Sequence, residues 1–201
     1  MVAHEMPGRA AERVSLSAAR SASFGAKVPK AVNAYVGLGS NLGDREALLR
    51  FALEALNAAP NLTIEAVSRV YETDPVGPGE QGAYLNAAVS IQTLLSAEQL
   101  LECLLAIELK AGRDRAAETE RWSARTLDLD LLFFGETIVE LQRLQIPHPR
   151  LHERPFVLEP LCDLAPDFLH PRTQTTLAEL AHAVRDESAV RLWPTSLAVP
   201  Q

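Results

Sequence analysis

The sequence predicts an α/β fold of the α+β kind: a ferredoxin-like βαββαβ core with a largely antiparallel sheet, helices on one face, an extra short strand and C-terminal helices. Three observations carry this. Runs that alternate with period two, as half-buried strands do, occur at Val32–Leu38, Ile64–Glu72, Tyr84–Leu94 and Thr126–Leu131. Two stretches with apolar residues spaced three and four apart, Asp44–Ala58 and Ser96–Gly112, fall between them as helices must in this order. The 47% apolar content of the 201 residues is enough to fill the resulting core.

Residues 1–31 stand apart from this pattern. They are rich in Ala and Ser, and carry five Lys or Arg (Arg9, Arg13, Arg20, Lys27, Lys30) against Glu5 and Glu12. No apolar run of signal-peptide type follows the positive charges. A flexible or disordered extension is expected here, a transit peptide being the alternative, with residues 32–201 forming a single domain.

The first strand, Val32–Leu38, puts Val32, Ala34, Val36 and Leu38 on one face and leaves through a glycine-rich turn, GLGSNLGD. That turn lacks the Lys-Ser/Thr of a P-loop, so a tight strand-to-helix connection explains it, with phosphate cradling by backbone amides as the second reading. The helix Asp44–Ala58 turns Leu48, Leu49, Ala52, Leu53 and Leu56 inward and stops before Pro60. The strand Ile64–Glu72 leads into a breaker-rich loop, Thr73–Gly82, longer than a hairpin requires and suited to a binding lid. On the third strand Tyr84, Asn86, Ala88 and Ser90 share a face. Tyr84 with Asn86 suits a flat polar heterocycle, although Tyr84 alone reads equally as a tyrosine at the edge of the core.

Ser96 and Gln99 form a capping box for the next helix, and Gly112 suits its exit. Glu108 lies near the buried side of that helix and calls for an arginine partner. Arg113 and Arg115 follow in a polar segment. After the fourth strand come a turn at Gly135-Glu136, a short strand at Thr137–Val139 and the stretch LQIPHPRLHERPF, in which prolines fix the backbone around His148. Phe156–Leu164 is expected to be helical, as is Leu177–Val184 behind a Thr175 or Thr176 cap. A tail with Trp193 then covers part of the sheet.

The chemistry concentrates in Arg121–Phe134, RWSARTLDLDLLFF. Alternation sends Thr126, Asp128 and Asp130 to one face and Leu127, Leu129 and Leu131 to the other. Carboxylates two apart on a strand lie roughly 6–7 Å apart, close enough to share one hard cation or serve two adjacent ones. Arginines before the strand suit a polyanion bridged by that metal, which points to phosphoryl or pyrophosphoryl transfer. The pattern alone leaves a second reading open, in which both aspartates lie on a solvated face and pair with surface arginines.

A net charge of −7 excludes a general nucleic-acid binder. No run of about 20 apolar residues marks a membrane span. Cys103 and Cys162 are far apart in apolar surroundings, which suits free thiols in a reducing, cytoplasmic setting.

Six stretches taken together resemble the 6-hydroxymethyl-7,8-dihydropterin pyrophosphokinase family of folate biosynthesis. They are GLGSNLGD, YETDPVG, YLNAAV, GRDR, RWSARTLDLDLLFF and PHPRLHERPFVLEPL, in that order between Ala31 and Val184. The resemblance implies transfer of the terminal pyrophosphate of ATP to the hydroxymethyl group of the dihydropterin, with AMP as the other product. It implies two Mg2+ ions on Asp128 and Asp130, and small-molecule partners only, for a monomer or a dimer. It implies ATP contacts from Glu108, Arg113, Arg115, Arg121, Trp122, Arg125, Arg143, His148 and Arg154, with Arg113 and Arg125 acting on the transferred group. It also implies a pterin held between Tyr84 and Phe156 and read by Asn86 and by the loop through Thr73, Asp74 and Val76, with Trp122 closing over the site. The chain departs from the family pattern at Ser123-Ala124, where Gly-Pro is common, at Asp74, where proline is common, and at Gln145, where a small hydroxyl residue is frequent. The stretch from Arg115 to Arg121 is also longer. Two rivals stand beside this reading: another metal-dependent nucleotidyl- or phosphotransferase, and a non-catalytic pterin- or nucleotide-binding module.

Overall fold

The structure, a computed structural model, describes residues 30–75, 81–113, 115, 124–184 and 190–201. The extension expected over residues 1–31 therefore lies outside the described residues up to residue 29.

The alternation of β1 (Val32–Ser40) buries Ala34, Val36 and Leu38. α1 (Arg45–Asn57) starts where the Asp44 carboxylate accepts a hydrogen bond from the Ala47 N–H at 3.1 Å, and it buries Leu49, Ala52, Leu53 and Leu56. Asn61, with φ 62°, turns the chain into β2 (Leu62–Val67). β3 (Tyr71–Thr73) and the long β4 (Tyr84–Thr93) follow. α2 (Ala97–Lys110) opens with the predicted capping box of Ser96 and Gln99 and leaves through Gly112 at φ 84°. β5 (Asp128–Phe134) then runs beside β1.

The sheet order is β5-β1-β4-β3-β8, with β2 also on β4 and β8 being Val190–Leu192. Every pairing is antiparallel, as the ferredoxin-like class requires. The single strand expected over Ile64–Glu72 is two strands. At the break the Ser68 N–H donates to Ala88 O at 2.9 Å, and the Ala88 N–H donates to the Ser68 hydroxyl at 2.8 Å. A side chain thus stands in for a backbone acceptor, and the ladder restarts at Tyr71.

Both faces of the sheet are covered, not one. Leu127, Leu129 and Leu131 join Val36, Leu38, Val89 and Ile91 beneath α1 and α2. On the opposite face Ala88, Leu132 and Phe133 pack with α3 (Pro155–Leu164) and α4 (Leu177–Ala183). A register shift opposite Tyr35–Val36 lets Leu132 and Phe133 both enter this second core. The short strand expected at Thr137–Val139 is instead a hairpin of β6 (Val139–Leu141) and β7 (Leu144–Ile146). The Trp193 tail includes a strand, β8, and continues along α1. There the Trp193 indole N–H donates to Glu46 at 2.6 Å, the Thr195 hydroxyl donates to Glu46 at 3.0 Å, and Leu197 is buried.

Candidate active site

Because Leu127, Leu129 and Leu131 face α1 and α2, Asp128 and Asp130 must face the α3 side. They do so at the end of β5 that α3 leaves uncovered. Asp128 lies opposite Gly39 and Asp130 opposite Gly37 on β1. A Cβ at Gly39 would sit 3.5 Å from Asn86 Oδ1 and 3.7 Å from Asp128 Cβ. Glycine here keeps open the floor between the carboxylates and β4. The result is a cleft of ≈ 260 Å³ between this sheet face and the segment His148–Val157.

Part of the cleft lining offers aromatic rings and uncharged polar groups. Tyr84, Asn86, Thr73 and Phe156 all line it. β3 pairs Thr73 with Tyr84 and Tyr71 with Asn86. The Asn86 amide donates to the Thr73 hydroxyl at 2.8 Å, which orients its carbonyl oxygen as an acceptor. Phe156 sits in the first turn of α3, where Pro155 sets the helix start. The Arg154 guanidinium lies over its ring, 5.6 Å from the centroid. Asp74 also lines the cleft, but its carboxylate accepts from Arg191 at 2.9 Å.

Another part is ionic. Glu108 is 1% exposed and sits beneath the cleft wall rather than in it. It accepts from Arg113 at 2.8 Å, from Arg115 at 2.7 and 2.8 Å, and from the Leu129 N–H at 2.7 Å. Arg113, itself buried, also donates to the Leu127 carbonyl and pairs with Asp128. Arg125 reaches Asp128 at 2.9 Å. Burial would raise the Asp128 carboxyl, but Arg125 and Arg113 outweigh it and hold the group below the usual carboxylate range. Asp130 differs. Burial first, then the Asp128 charge, pushes it up to about 7. Its partners stand farther off, Arg154 at 3.8 Å and His148 Nε2 at 3.9 Å. Burial and the Arg154 charge push His148 down to about 4, so the imidazole is neutral at physiological pH. The Arg150 N–H donates to His148 Nδ1 at 3.3 Å, which leaves Nε2 as the protonated nitrogen facing Asp130.

Most of the predicted site residues therefore meet around one cleft. Arg143 does not: it is exposed on the β6–β7 turn, 3.6 Å from Glu102 and outside the cleft wall. Val76, Arg121 and Trp122 lie outside the described residues. Asn41 was missed by the sequence reading. It is 7% exposed; its side-chain oxygen accepts from the Arg125 N–H at 2.6 Å, its N–H donates to Arg125 O at 3.1 Å, and its amide reaches Gln81 at 3.3 Å and Gly82 O at 3.4 Å. The available signal was an asparagine directly after a strand end in a glycine-rich turn, a residue type that commonly bonds backbone in such places.

Among the described residues no group of three or more His, Cys, Asp or Glu side chains is arranged to hold a metal ion. A protein-only cage is thus not what these residues offer. Two carboxylates lining an open cleft, one of them with its nearest cation among the described residues, Arg154, at 3.8 Å, fit an ion that completes its shell with water and substrate phosphate, as Mg2+ does.

Fold and site together define a class: a phosphoryl- or pyrophosphoryl-transfer enzyme built on a ferredoxin-like sheet. Residues 35–166 match the model of the 7,8-dihydro-6-hydroxymethylpterin-pyrophosphokinase (HPPK) family, and the chain belongs to that family. It is 43% identical over 160 residues to the 2-amino-4-hydroxy-6-hydroxymethyldihydropteridine pyrophosphokinase of Bacillus subtilis, covering 80% of this chain and 89% of that one. It is 44% identical to the protein of the same name from Pseudomonas aeruginosa, over 79% of this chain and 95% of that one. Among solved structures, wild-type Plasmodium falciparum HPPK-DHPS shares the fold with a TM-score of 0.58 at 16% identity. That match covers 77% of this chain but only 45% of the longer Plasmodium chain. No described helix is long and apolar enough to cross a membrane.

Proposed function

We infer that this protein transfers the pyrophosphoryl group of ATP to the hydroxymethyl group of 6-hydroxymethyl-7,8-dihydropterin, releasing AMP, within folate biosynthesis. The observation that carries this is that one cleft is lined both by Tyr84, Asn86 and Phe156 and by Asp128, Asp130, Arg125 and Arg154. A nucleotidyl- or phosphotransferase of another kind would use the ionic groups and leave the aromatic ones idle.

Tyr84 and Phe156 offer ring faces to the pterin, and Asn86 reads its polar edge. In the reaction the hydroxyl oxygen bonds to the β-phosphorus, the bond from that phosphorus to the oxygen bridging to the α-phosphorus breaks, and that oxygen leaves with AMP. Asp128 and Asp130 would hold two Mg2+ ions. Bound there, the ions would offset charge on the phosphate oxygens and favour ionisation of the attacking hydroxyl. Arg125 and Arg113 stand where negative charge accumulates on the transferred group and on the departing oxygen. Arg113, 3% exposed and holding Glu108, the Leu127 carbonyl and Asp128 through one nitrogen, would act from behind Asp128. Arg154 and neutral His148 face the polyphosphate beside Asp130. Arg115, Arg121 and Trp122 belong to the segment that would close over the nucleotide and exclude water. Residues 32–201 act as one domain and as a monomer in this reading. Its setting is the cytoplasm, in keeping with Cys103 and Cys162 as free thiols.

The test is product analysis after incubation with ATP and Mg2+, with and without the hydroxymethyldihydropterin. AMP and pterin pyrophosphate formed in equal amounts, and only with the pterin present, are expected. ADP, or AMP formed without the pterin, would contradict the reading.

A further inference from the structure

Four of the described arginines assigned above are already paired with a carboxylate of the site. Arg113 and Arg115 answer to Glu108, Arg125 to Asp128, and Arg154 to Asp130. A triphosphate adds several negative charges to this cleft, so the wall needs positive charge that its own carboxylates have not offset.

We propose that Arg150 is a further polyphosphate-binding residue, exchanging Glu153 for the nucleotide when ATP enters. It lines the cleft beside His148, Pro149 and Arg154, whereas Glu153 does not line it. Among the described residues its carboxylate partner is that Glu153, three positions on, with Nε to Oε2 at 3.3 Å. The two side chains are 39% and 55% exposed, so water screens the pair and it is cheap to break. The Arg150 backbone, by contrast, is held in a tight turn. Its N–H is bonded to His148 Nδ1, and the Leu151 N–H donates to His148 O at 3.1 Å. A fixed root with an exposed, loosely held guanidinium suits a group that swings onto an arriving anion. A guanidinium is the side chain best matched to phosphate oxygens, through paired N–H donors.

This inference rests on the pyrophosphokinase reading, and the experiment separates the two. Arg150→Ala, Arg150→Lys and Glu153→Gln are compared with wild type by steady-state kinetics and by calorimetric binding of a non-hydrolysable ATP analogue with Mg2+. Arg150→Ala should raise both the KM for ATP and the Kd for the analogue by about ten-fold, the scale of one charge-assisted contact. The KM for the pterin should stay within about two-fold, Lys should recover part of the loss, and Glu153→Gln should bind nucleotide as well as wild type or better. Unchanged nucleotide binding in Arg150→Ala would overturn the proposal. So would an equal loss in Glu153→Gln, since the ion pair would then matter only for the shape of the turn. A wild type that binds the analogue but makes no AMP would overturn the reaction assigned above, while the binding comparison would still decide Arg150.

Discussion

Asp128 and Asp130 are chemically alike and two positions apart, yet their surroundings drive them in opposite directions. Three arginines surround Asp128, whereas among the described residues Asp130 has Arg154 and His148 at nearly 4 Å. With Asp130 pushed up to about 7, the folded chain holds its proton more tightly than the unfolded chain, where an aspartate titrates at about 4. The unfolded state therefore ionises first, so stability falls as pH rises from about 4 to about 7 and is level above that. In chelator-treated protein the melting temperature should decline between about pH 5 and about pH 7, and Asp130→Asn should flatten that decline and melt above wild type at about pH 8. Parallel melting profiles for the two proteins would show that Asp130 ionises without cost. Alternation exposed this pair in the sequence, because a strand's period assigns faces without knowledge of the rest of the chain. Which of the two carries the arginines was not legible, since Arg113, held by Glu108, reaches Asp128 only through the packing of α2 against β5.

Elements that bury a periodic face were read well: β1, α1, β4, α2 and β5 lie within a few residues of their predicted positions. The misses are elements whose cause is not local. Nothing around Ser68 announces a break; its hydroxyl replaces a ladder acceptor only because Ala88 of β4 is placed opposite. The β6–β7 hairpin turns at Gln142-Arg143 without the glycine or asparagine that usually marks such a turn. β8 is three residues long and owes its place to β3 and to the Trp193–Glu46 bond. Asn41 belongs with these, because its partners lie in two distant segments. It ties the Arg125 segment to the end of the loop that follows β3, so that the walls proposed for nucleotide and for pterin share one anchor. Asn41→Ala would leave the part-buried Arg125 N–H without its acceptor, a cost of about 1 kcal/mol. It should also raise the KM for both substrates. An effect confined to ATP would mean that the Gln81–Gly82 bonds do not position the pterin side.

The molecule as a whole is a sheet with two cores, and the division explains where the site lies. α1 and α2 pack on one face, whereas α3 and α4 cover part of the other. The remaining part, floored by Gly37 and Gly39, is the cleft. Every strand, both cores and every described site residue fall between residues 32 and 201. A chain beginning at Lys30 should therefore fold, melt and turn over like the full-length protein; loss of the melting transition on removing residues 1–29 would show that the domain needs them. The central claim is that one cleft orders two substrates, the heterocycle toward Tyr84 and Phe156 and the polyphosphate toward Asp128 and Asp130. The most direct test is a crystal structure with the hydroxymethyldihydropterin, Mg2+ and a non-hydrolysable ATP analogue bound together. The account predicts the pterin ring stacked between Tyr84 and Phe156, metal on both aspartates, and the hydroxymethyl oxygen in line with the β-phosphorus. A pterin outside the Tyr84–Phe156 gap, or a polyphosphate bound away from Asp128 and Asp130, would contradict it.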